Sequence, residues 1–275
     1  MFRNGRSVAV ESVAGLTKDA VIGHMIGRRS AELHMGETAM LTGDDTRPVA
    51  MAVESPDFSL TLRKGEITGV YGFMGCGQIE LARALFGKGR LAHATVSIEG
   101  RPVRLTSTAA ARRAGVAYVP ENRSMMLFRD AAVYKNTSIA ILDRIHRLWL
   151  KPRAERAIAD RLIADLQIRP PQPGLSVGSL SGGNQQKVAL AKWLTHMPKV
   201  LILSEPTRGM DVGAKEDVIR ILQSLRDQGV AILVLSTEPE TILTLADRVV
   251  VMRKGAVTRT ILSGRIDKSD LLSAA

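Results

Sequence analysis

The pattern of apolar and polar residues predicts a strand, a glycine-rich loop and a helix in succession between residues 58 and 86. Phe58 to Leu62 alternate apolar and polar side chains, which is typical of a half-buried strand. Residues 67–71 read as a short buried strand that runs directly into the glycine-rich stretch 72–80, and an apolar helical stripe follows over residues 81–86. This order of elements is the context that a phosphate-binding loop requires.

A pair of glycines precedes a helix in the C-terminal half of the chain. The stretch Ser181-Gly182-Gly183 is followed by an apolar stripe over residues 188–194. We expect a serine-capped helix whose first backbone amides point toward an anion. Strand-like runs at 200–203 and 230–235 flank a further helix with apolar positions between residues 218 and 225. The alternation of strands and helices predicts an α/β fold with a mainly parallel sheet.

Residues 121–178 have a mainly helical pattern. Ile158, Leu162 and Leu166 recur at intervals of four among charged residues, which predicts an amphipathic helix. The run Pro-Pro-Gln-Pro-Gly at 170–174 ends this pattern. Two interpretations are open from the residues alone: a separate helical subdomain, or a helix pair that only covers the sheet.

Composition and charge restrict the class of protein. The 275 residues are 45% hydrophobic and 24% charged, which suits one large α/β domain with a core, or a domain with an appendage. The net charge of +11 suits nucleic acid, a membrane surface or a nucleotide and does not choose among them. A single cysteine, Cys76, excludes an internal disulfide. No apolar run approaches the roughly 20 residues that cross a bilayer, so a cytoplasmic location is expected.

Several motifs resemble those of the ATP-binding cassette (ABC) ATPases. Residues 180–187 resemble the signature motif of that family, and residues 201–207 resemble its Walker B strand and the acidic residue after it. Residues 208–213 resemble the D-loop. Together with Pro-Glu-Asn-Arg at 120–123, these stretches look most like the C-terminal cassette of tandem ATP-binding proteins from monosaccharide importers of the ribose, galactose and xylose type. Importers of purine nucleosides and of autoinducer-2 use similar cassettes.

The resemblance covers residues 45–275 and implies the fold of a P-loop NTPase. We expect an ABC-type nucleotide-binding domain with a mainly parallel sheet, an antiparallel β-edge and a helical subdomain at about 121–178. The P-loop strand should lie beside the Walker B strand, with Gly77 and Glu205 facing one cleft.

The same resemblance implies which residues form the site. Glu205 and Glu121 are the expected catalytic residues, and Ser204 occupies the Mg²⁺ position. The expected nucleotide-binding residues come from the P-loop, the signature motif and the D-loop, and they are Gly72, Gly75, Cys76, Gly77, Gln78, Ile79, Glu80, Ser181, Gly182, Gly183, Gln185 and Asp211.

The P-loop departs from the family pattern at the positions that carry its chemistry. Gln78 stands where the family has a lysine for the β- and γ-phosphates, and Ile79 stands where it has a metal-binding hydroxyl. Ser204 replaces the Walker B aspartate, and Glu238 replaces a histidine that senses the γ-phosphate. The expected cofactors are therefore ATP and Mg²⁺, bound weakly at this chain's own loop, while the intact signature completes the ATP site of a partner.

The resemblance also implies partners and a location. We expect a second cassette, membrane permease subunits and, indirectly, a periplasmic sugar-binding protein, with this chain on the inner face of the membrane. Two other functions are open: a non-catalytic pseudo-ATPase fragment, and an ABC protein that acts on nucleic acid or the ribosome. The latter class is expected to carry a dense basic run, which the chain lacks, so no nucleic acid is expected.

The two ends of the chain resemble each other. Phe-Arg-Asn-Gly at 2–5 matches Met-Arg-Lys-Gly at 252–255, and residues 16–22 match residues 266–272 at the same offset. Chance similarity of two hairpins and two capped helices is one interpretation. The other is that residues 1–28 are the tail of a preceding homologous cassette, that 29–44 form a linker, and that 45–275 are the nucleotide-binding domain.

Overall fold

Strands and helices alternate along most of the chain. The computed structural model describes residues 2, 3, 6–12, 15, 16, 37–56, 58–91, 93–142 and 151–275. The strands of this part are β1 Phe2–Arg3, β2 Arg6–Ser7, β3 Thr38–Thr42, β4 Val49–Glu54, β5 Ser59–Arg63, β6 Ile67–Tyr71, β7 Thr95–Ile98, β8 Arg101–Val103, β9 Val116–Val119, β10 Val200–Ser204, β11 Ala231–Ser236, β12 Arg248–Arg253, β13 Ala256–Ile261 and β14 Ser263–Asp267.

The α-helices are mostly short. They are α1 Gln78–Leu85, α2 Thr108–Ala114, α3 Val133–Ser138, α4 Pro152–Asp165, α5 Gly182–Leu194, α6 Val212–Asp227, α7 Pro239–Leu245 and α8 Lys268–Ala274. Within the described ranges, no helix combines the length and the apolar character needed to cross a membrane.

A six-stranded sheet forms the centre of the domain, in the order β13-β12-β6-β11-β10-β9. Strands β12, β6, β11, β10 and β9 are parallel, and β13 pairs antiparallel with β12 at one edge. A second, antiparallel sheet has the order β5-β4-β7-β8, and β3 pairs antiparallel with β14. The predicted α/β fold, with a mainly parallel sheet and an antiparallel β-edge, is confirmed.

The apolar side chains of the central sheet pack on both of its faces. Successive residues of a strand point to opposite faces, and the buried clusters follow this rule: Leu201 and Leu203 belong to one cluster, and Val200 and Ile202 belong to the other. The first cluster includes side chains of α4, α5 and α6, and the second includes those of α1 and the antiparallel sheet. Burial on both faces explains why the strands appear in the sequence as continuous apolar runs.

Strand β3 extends the fold on the N-terminal side of residue 45, where the sequence predicted the domain to begin. Residues Thr38–Thr42 pair with Ser263–Asp267, and Leu41 is buried in the core. Part of the predicted linker 29–44 is therefore a strand of the domain, and residues 29–36 lie outside the described residues. The predicted helix after Leu16 in the tail also lies outside them.

The segment 121–178 is mainly helical where the structure describes it. Helices α3 and α4 pack with α5, and Tyr134, Leu162 and Leu166 join the same buried cluster as the signature helix α5. A buried hydrogen bond of 2.6 Å joins Ser138 Oγ on α3 to Glu155 Oε2 on α4. The segment thus forms one packed layer against the helix that begins at the signature motif.

Candidate functional site

The glycine-rich loop follows β6 and leads into α1. Gly72 requires the absence of a side chain, because a Cβ atom there would lie 2.5 Å from the carbonyl oxygen of Met252. Gly77 precedes α1 with φ of 101°, a left-handed conformation that glycine adopts at little cost. The backbone therefore keeps the shape of a P-loop, and the amides at the start of α1, which have no acceptor within the helix, face the end of the loop.

The β12–β13 hairpin supports this loop from one side. Gly255 donates its N–H to the carbonyl oxygen of Cys76 at 2.8 Å, and the N–H of Cys76 donates to the carbonyl oxygen of Phe73 at 3.0 Å. The Cys76 side chain is buried, and this burial raises the pKa of its thiol. Cys76 is therefore a neutral packing group, whereas Phe73 is 53% exposed and Met74 is 78% exposed on the outer side of the loop.

The side chains at the start of α1 differ from one another in burial. Gln78 is only 4% exposed, and its Oε1 atom has no hydrogen-bond partner among the described residues. Ile79 is 37% exposed and offers no polar atom, and Glu80 is exposed in the first turn. The start of α1 therefore has a buried neutral amide and an apolar side chain where a cation and a hydroxyl are expected, and an exposed carboxylate follows them.

Ser204 occupies the expected metal position and forms a hydrogen bond with a tyrosine. Its Oγ atom lies 3.2 Å from the hydroxyl of Tyr118, at the end of the neighbouring strand β9. Ser204 is 1% exposed and Tyr118 is 5% exposed, and burial raises the pKa of the Tyr118 phenol. Two neutral hydroxyl groups therefore pair with each other in the place where the family has a metal-bound carboxylate.

Glu205 follows β10 in a strained left-handed conformation, with φ of 48°. Ser236 Oγ donates to its Oε2 atom at 2.7 Å, and Thr237 donates to Oε1 from the backbone N–H at 2.7 Å and from the hydroxyl at 2.9 Å. The side chain is buried at 7% exposure. These three donors hold the carboxylate against the end of β11.

Glu238 forms contacts with the D-loop helix. Lys215 Nζ on α6 lies 3.3 Å from Glu238 Oε2, and Thr241 Oγ1 donates to the same oxygen at 3.1 Å. The hydroxyls of Thr241 and Thr207 are 2.8 Å apart. An ion pair therefore stands at the position of the family's phosphate-sensing histidine.

The signature motif forms a capped helix start. Ser181 is the N-cap of α5, and its Oγ atom accepts hydrogen bonds from the Asn184 backbone N–H at 3.5 Å and from Asn184 Nδ2 at 2.9 Å. Gln185 Nε2 donates to the carbonyl oxygen of Leu180 at 2.9 Å. Because Ser181 is exposed and its oxygen accepts both bonds, its own proton remains available to donate outward.

Close packing fixes the signature glycines. A Cβ atom at Gly183 would lie 2.6 Å from the Cβ atom of Ala214, so glycine lets α5 approach α6. Arg123 NH1 donates to the carbonyl oxygen of Gly182 at 3.0 Å, which places a guanidinium beside the motif. The motif therefore combines a hydroxyl, helix-start amides and a nearby cation, a set that favours an anion.

Glu121 and Asp211 both have protein partners. Glu121 forms an exposed ion pair with Arg208, three residues after Glu205. Asp211 is the N-cap of α6 and accepts a hydrogen bond from the Ala214 N–H at 2.9 Å. Both carboxylates therefore already accept hydrogen bonds within the chain.

The expected adjacency of the P-loop strand and the Walker B strand is wrong, because β11 lies between β6 and β10. The three strands are parallel and in register at their carboxyl ends, with Tyr71 opposite Ser236 and Leu235 opposite Ser204. The P-loop and Glu205 therefore lie at the same edge of the sheet, where ligands bind in open α/β sheets. Strand β11 separates the strands that precede them.

The residues of this edge do not fit a bound Mg²⁺ ion. Magnesium in proteins prefers carboxylate oxygens in addition to phosphate and water, whereas Ile79 has no polar atom and Ser204 is paired with Tyr118. The Glu205 carboxylate is occupied by three donors. Among the described residues, no group of three or more His, Cys, Asp or Glu side chains could hold a metal ion.

Three residues of the site were not recognised from the sequence. Tyr118 pairs with Ser204, Arg123 contacts the signature motif, and Lys215 pairs with Glu238. Arg123 lies in the Pro-Glu-Asn-Arg stretch, and Lys215 lies two residues after the stretch 208–213 that resembles the D-loop, so both are in or next to motifs that the sequence displays. The contact of Tyr118 depends on the pairing of β9 with β10, which periodicity does not reveal.

Sequence comparison agrees with these motifs. The family described as "ABC transporter" matches residues 56–208. The ribose import ATP-binding protein RbsA 1 of Agrobacterium fabrum is 38% identical over 274 residues, which cover 98% of this chain and 53% of the relative. The xylose import ATP-binding protein XylG of Burkholderia cenocepacia is 40% identical over 288 residues, which cover 100% of this chain and 55% of the relative. The chain thus spans about half the length of the curated relatives it matches.

Solved structures share the fold at lower sequence identity. A nucleotide-free ATP-binding cassette from an ABC transporter superposes with a TM-score of 0.67 at 18% identity, covering 82% of this chain and 95% of that one. The cbiO1 protein from Clostridium perfringens, part of the ABC transporter complex cbiONQ, gives a TM-score of 0.66 at 22% identity, covering 78% and 88%.

Proposed function

This chain belongs to the ABC transporter family, and on that premise we propose that it is an ATP-binding component of an importer for a monosaccharide or a similar small polar solute. Two of the relatives are named as import ATP-binding proteins for ribose and xylose. In this role the chain couples ATP binding and hydrolysis to transport, and its signature motif completes the ATP site of a partner cassette.

The proposal rests on the contrast between the signature motif, which keeps its anion-binding groups, and the chain's own P-loop, which lacks them. The signature offers the Ser181 hydroxyl and the helix-start amides of α5 to an anion, and Arg123 adds a positive charge beside Gly182. The chain's own P-loop offers Gln78 and Ile79 instead of a cation and a hydroxyl. A charge-assisted contact of the kind lost at Gln78 contributes about 1.5–3 kcal/mol, so the chain's own loop binds nucleotide weakly and turns it over slowly.

A preceding cassette is the partner that we propose. Residues 1–28 would be its tail, and the described part of that tail supports this view. In the hairpin β1–β2 Arg3 pairs with Arg6, and in the hairpin β12–β13 Arg253 pairs with Ala256. The two hairpins therefore have the same spacing, at the two positions that the sequence repeat aligns.

A permease subunit is the second partner in this proposal. A groove of about 450 Å³ lies between α2, α5 and the segment that follows β9. Met125 is 67% exposed and Phe128 is 58% exposed there, and Lys88, Arg112 and Lys192 also line the groove. The combination of apolar and basic side chains suits an amphipathic segment that carries a carboxylate. Docking there would hold the chain on the cytoplasmic face of the membrane, with a periplasmic sugar-binding protein on the other side.

A substitution at the signature motif tests the proposal. In the complex purified with the products of the neighbouring genes, Ser181→Arg should abolish solute-stimulated ATP hydrolysis, because a bulky cation would fill the γ-phosphate position. Gln78→Ala should reduce hydrolysis far less, since that loop already lacks its charged ligand. Ser273→Arg, the same change on the exposed side of α8, is the matched control. The opposite order of damage would exclude the partner-site function.

The same purification separates the alternatives. A decayed pseudo-ATPase fragment would co-purify with no cassette or permease, and a protein of the nucleic-acid class would co-purify with RNA. Recovery of an adjacent cassette with an intact P-loop lysine, together with a permease, is the expected result.

A further inference from the structure

At the carboxyl edge of the central sheet, the side chains lack metal ligands, while the backbone keeps the shape of a phosphate-binding loop. From this mismatch we propose that the chain's own P-loop takes a nucleoside di- or triphosphate without a divalent cation. The inference rests on the proposed function in one respect, namely that the loop is a nucleotide site. The sequence predicts weak binding of Mg²⁺–ATP at this loop, whereas the present proposal is that the nucleotide binds there without a metal ion.

The metal position is closed by a hydrogen bond between neutral groups. Ser204 Oγ and the Tyr118 hydroxyl lie 3.2 Å apart, and both side chains are almost fully buried. A metal ion at this point would have to break the pair and would gain no negative oxygen in exchange.

The acidic residue that follows Ser204 in the chain is Glu205, and its carboxylate already accepts hydrogen bonds. Glu205 accepts one hydrogen bond from Ser236 and two from Thr237, and its backbone N–H donates to the Leu235 carbonyl oxygen at 2.8 Å. The three donors occupy three of the roughly four acceptor sites of the carboxylate, so a metal at Glu205 would compete with hydrogen bonds at the buried end of β11. Glu205 therefore connects the carboxyl ends of β10 and β11 by hydrogen bonds.

The loop itself keeps groups that bind phosphate without a metal. Gly77 ends the loop in the left-handed conformation that leads into α1, and the first amides of this eight-residue helix have no acceptor within it. Gln78, the first residue of α1, is 96% buried, and its amide oxygen has no partner among the described residues. This side chain is neutral and buried, so the backbone amides of the loop are the groups that would meet a phosphate.

Isothermal titration of the full chain with ATP and with ADP, each in Mg²⁺ and in EDTA, tests the inference. The expected result is binding of both nucleotides that is equally strong or stronger in EDTA. A loss of about tenfold or more in affinity on removal of Mg²⁺ would overturn the proposal, because the loss of a single charge-assisted contact already changes affinity by about that much. Absence of binding in both buffers would overturn it too.

Two variants locate the effect. Ile79→Ser with Ser204→Asp restores the hydroxyl and the carboxylate, and this double variant should bind ATP about tenfold more tightly in Mg²⁺ than in EDTA, the effect of about one charge-assisted contact. Gly75→Ala adds a side chain at φ of 82°, where no atom lies within 4 Å, and should weaken binding without disturbing the core. Unchanged binding in Gly75→Ala would exclude the loop as the site. None of these results depends on the signature motif, which Ser181→Arg tests separately in the complex.

Discussion

The carboxylate of Glu205 accepts two hydrogen bonds from Thr237, one from the backbone N–H at 2.7 Å and one from the hydroxyl at 2.9 Å. This contact joins the residue after β10 to the residue after β11, and Ser236 adds a third bond from the same strand end. The family resemblance predicts a catalytic role for Glu205. In this chain its buried carboxylate joins the ends of two neighbouring strands by hydrogen bonds.

Replacement of Glu205 by glutamine should therefore reduce stability. Glutamine keeps one oxygen for Thr237 but places an NH₂ group opposite Ser236 Oγ, so we expect a loss of about 1–3 kcal/mol in the free energy of unfolding. Urea denaturation measures this change. Glu240→Gln is the matched control, because it removes an exposed ion pair with Lys268 and should cost less than about 1 kcal/mol. Equal losses of unfolding free energy in the two variants would contradict a stabilising role of the buried hydrogen bonds of Glu205.

The isolated chain should hydrolyse ATP very slowly. Gln78, Ile79 and Ser204 replace the groups that neutralise phosphate charge and hold the metal, and Glu205 is engaged with Ser236 and Thr237. A steady-state phosphate-release assay should give turnover far below the value of about 10 s⁻¹ that is common for enzymes. Turnover at that level from the pure chain would mean that another group supplies the chemistry.

Gly183→Ala should weaken the packing of the signature helix. The added Cβ atom would lie 2.6 Å from the Cβ atom of Ala214, and overpacking of this kind costs about 1–3 kcal/mol. Ala214→Gly removes the opposing methyl group and should restore part of the loss in the double variant. A double-mutant cycle in urea measures the coupling between the two positions, and additive effects would show that the contact does not limit the approach of α5 to α6.

Glu99 should make stability depend on pH in the acid range. Hydrogen bonds from Lys199 and Lys64 lower the pKa of the Glu99 carboxyl from 4.5 to about 2. A lowered pKa contributes stability above the unfolded value, and this contribution is lost as pH falls from about 4.5 to about 2. Glu99→Gln should therefore be less stable than the native chain at pH 7, and the difference should shrink below pH 4.5 in urea titrations. A difference that does not change with pH would contradict the ion-pair origin.

Local patterns predicted much of the fold. The capped start of α5 at Ser181, the loop after β6 and the buried strand β10 each depend on neighbouring residues, and the structure agrees with all three. The residues that depend on distant partners were missed. Strand β3 is held by β14 at the other end of the chain, and its own short sequence has no strong alternation.

In the candidate site, too, the sequence predicts features of single positions but not contacts between distant residues. The sequence displays the substitutions at Gln78, Ile79 and Ser204, so the loss of phosphate and metal ligands could be inferred from residue identity. It does not display what replaces them. The pairing of Ser204 with Tyr118 and the insertion of β11 between β6 and β10 follow from the order of strands, which is a property of the whole sheet.

The central position of β6 has a consequence for how the chain is made. Its neighbours β11 and β12 lie more than half the chain length further on, with Ile67 opposite Ile232 and Gly69 opposite Val249. During synthesis on the ribosome, both edges of β6 stay unpaired until those late strands have emerged, and unpaired apolar edges favour aggregation. The phosphate loop thus acquires its support among the last parts of the domain. We expect chains that stop before residue 231 to be insoluble, however complete their motifs are.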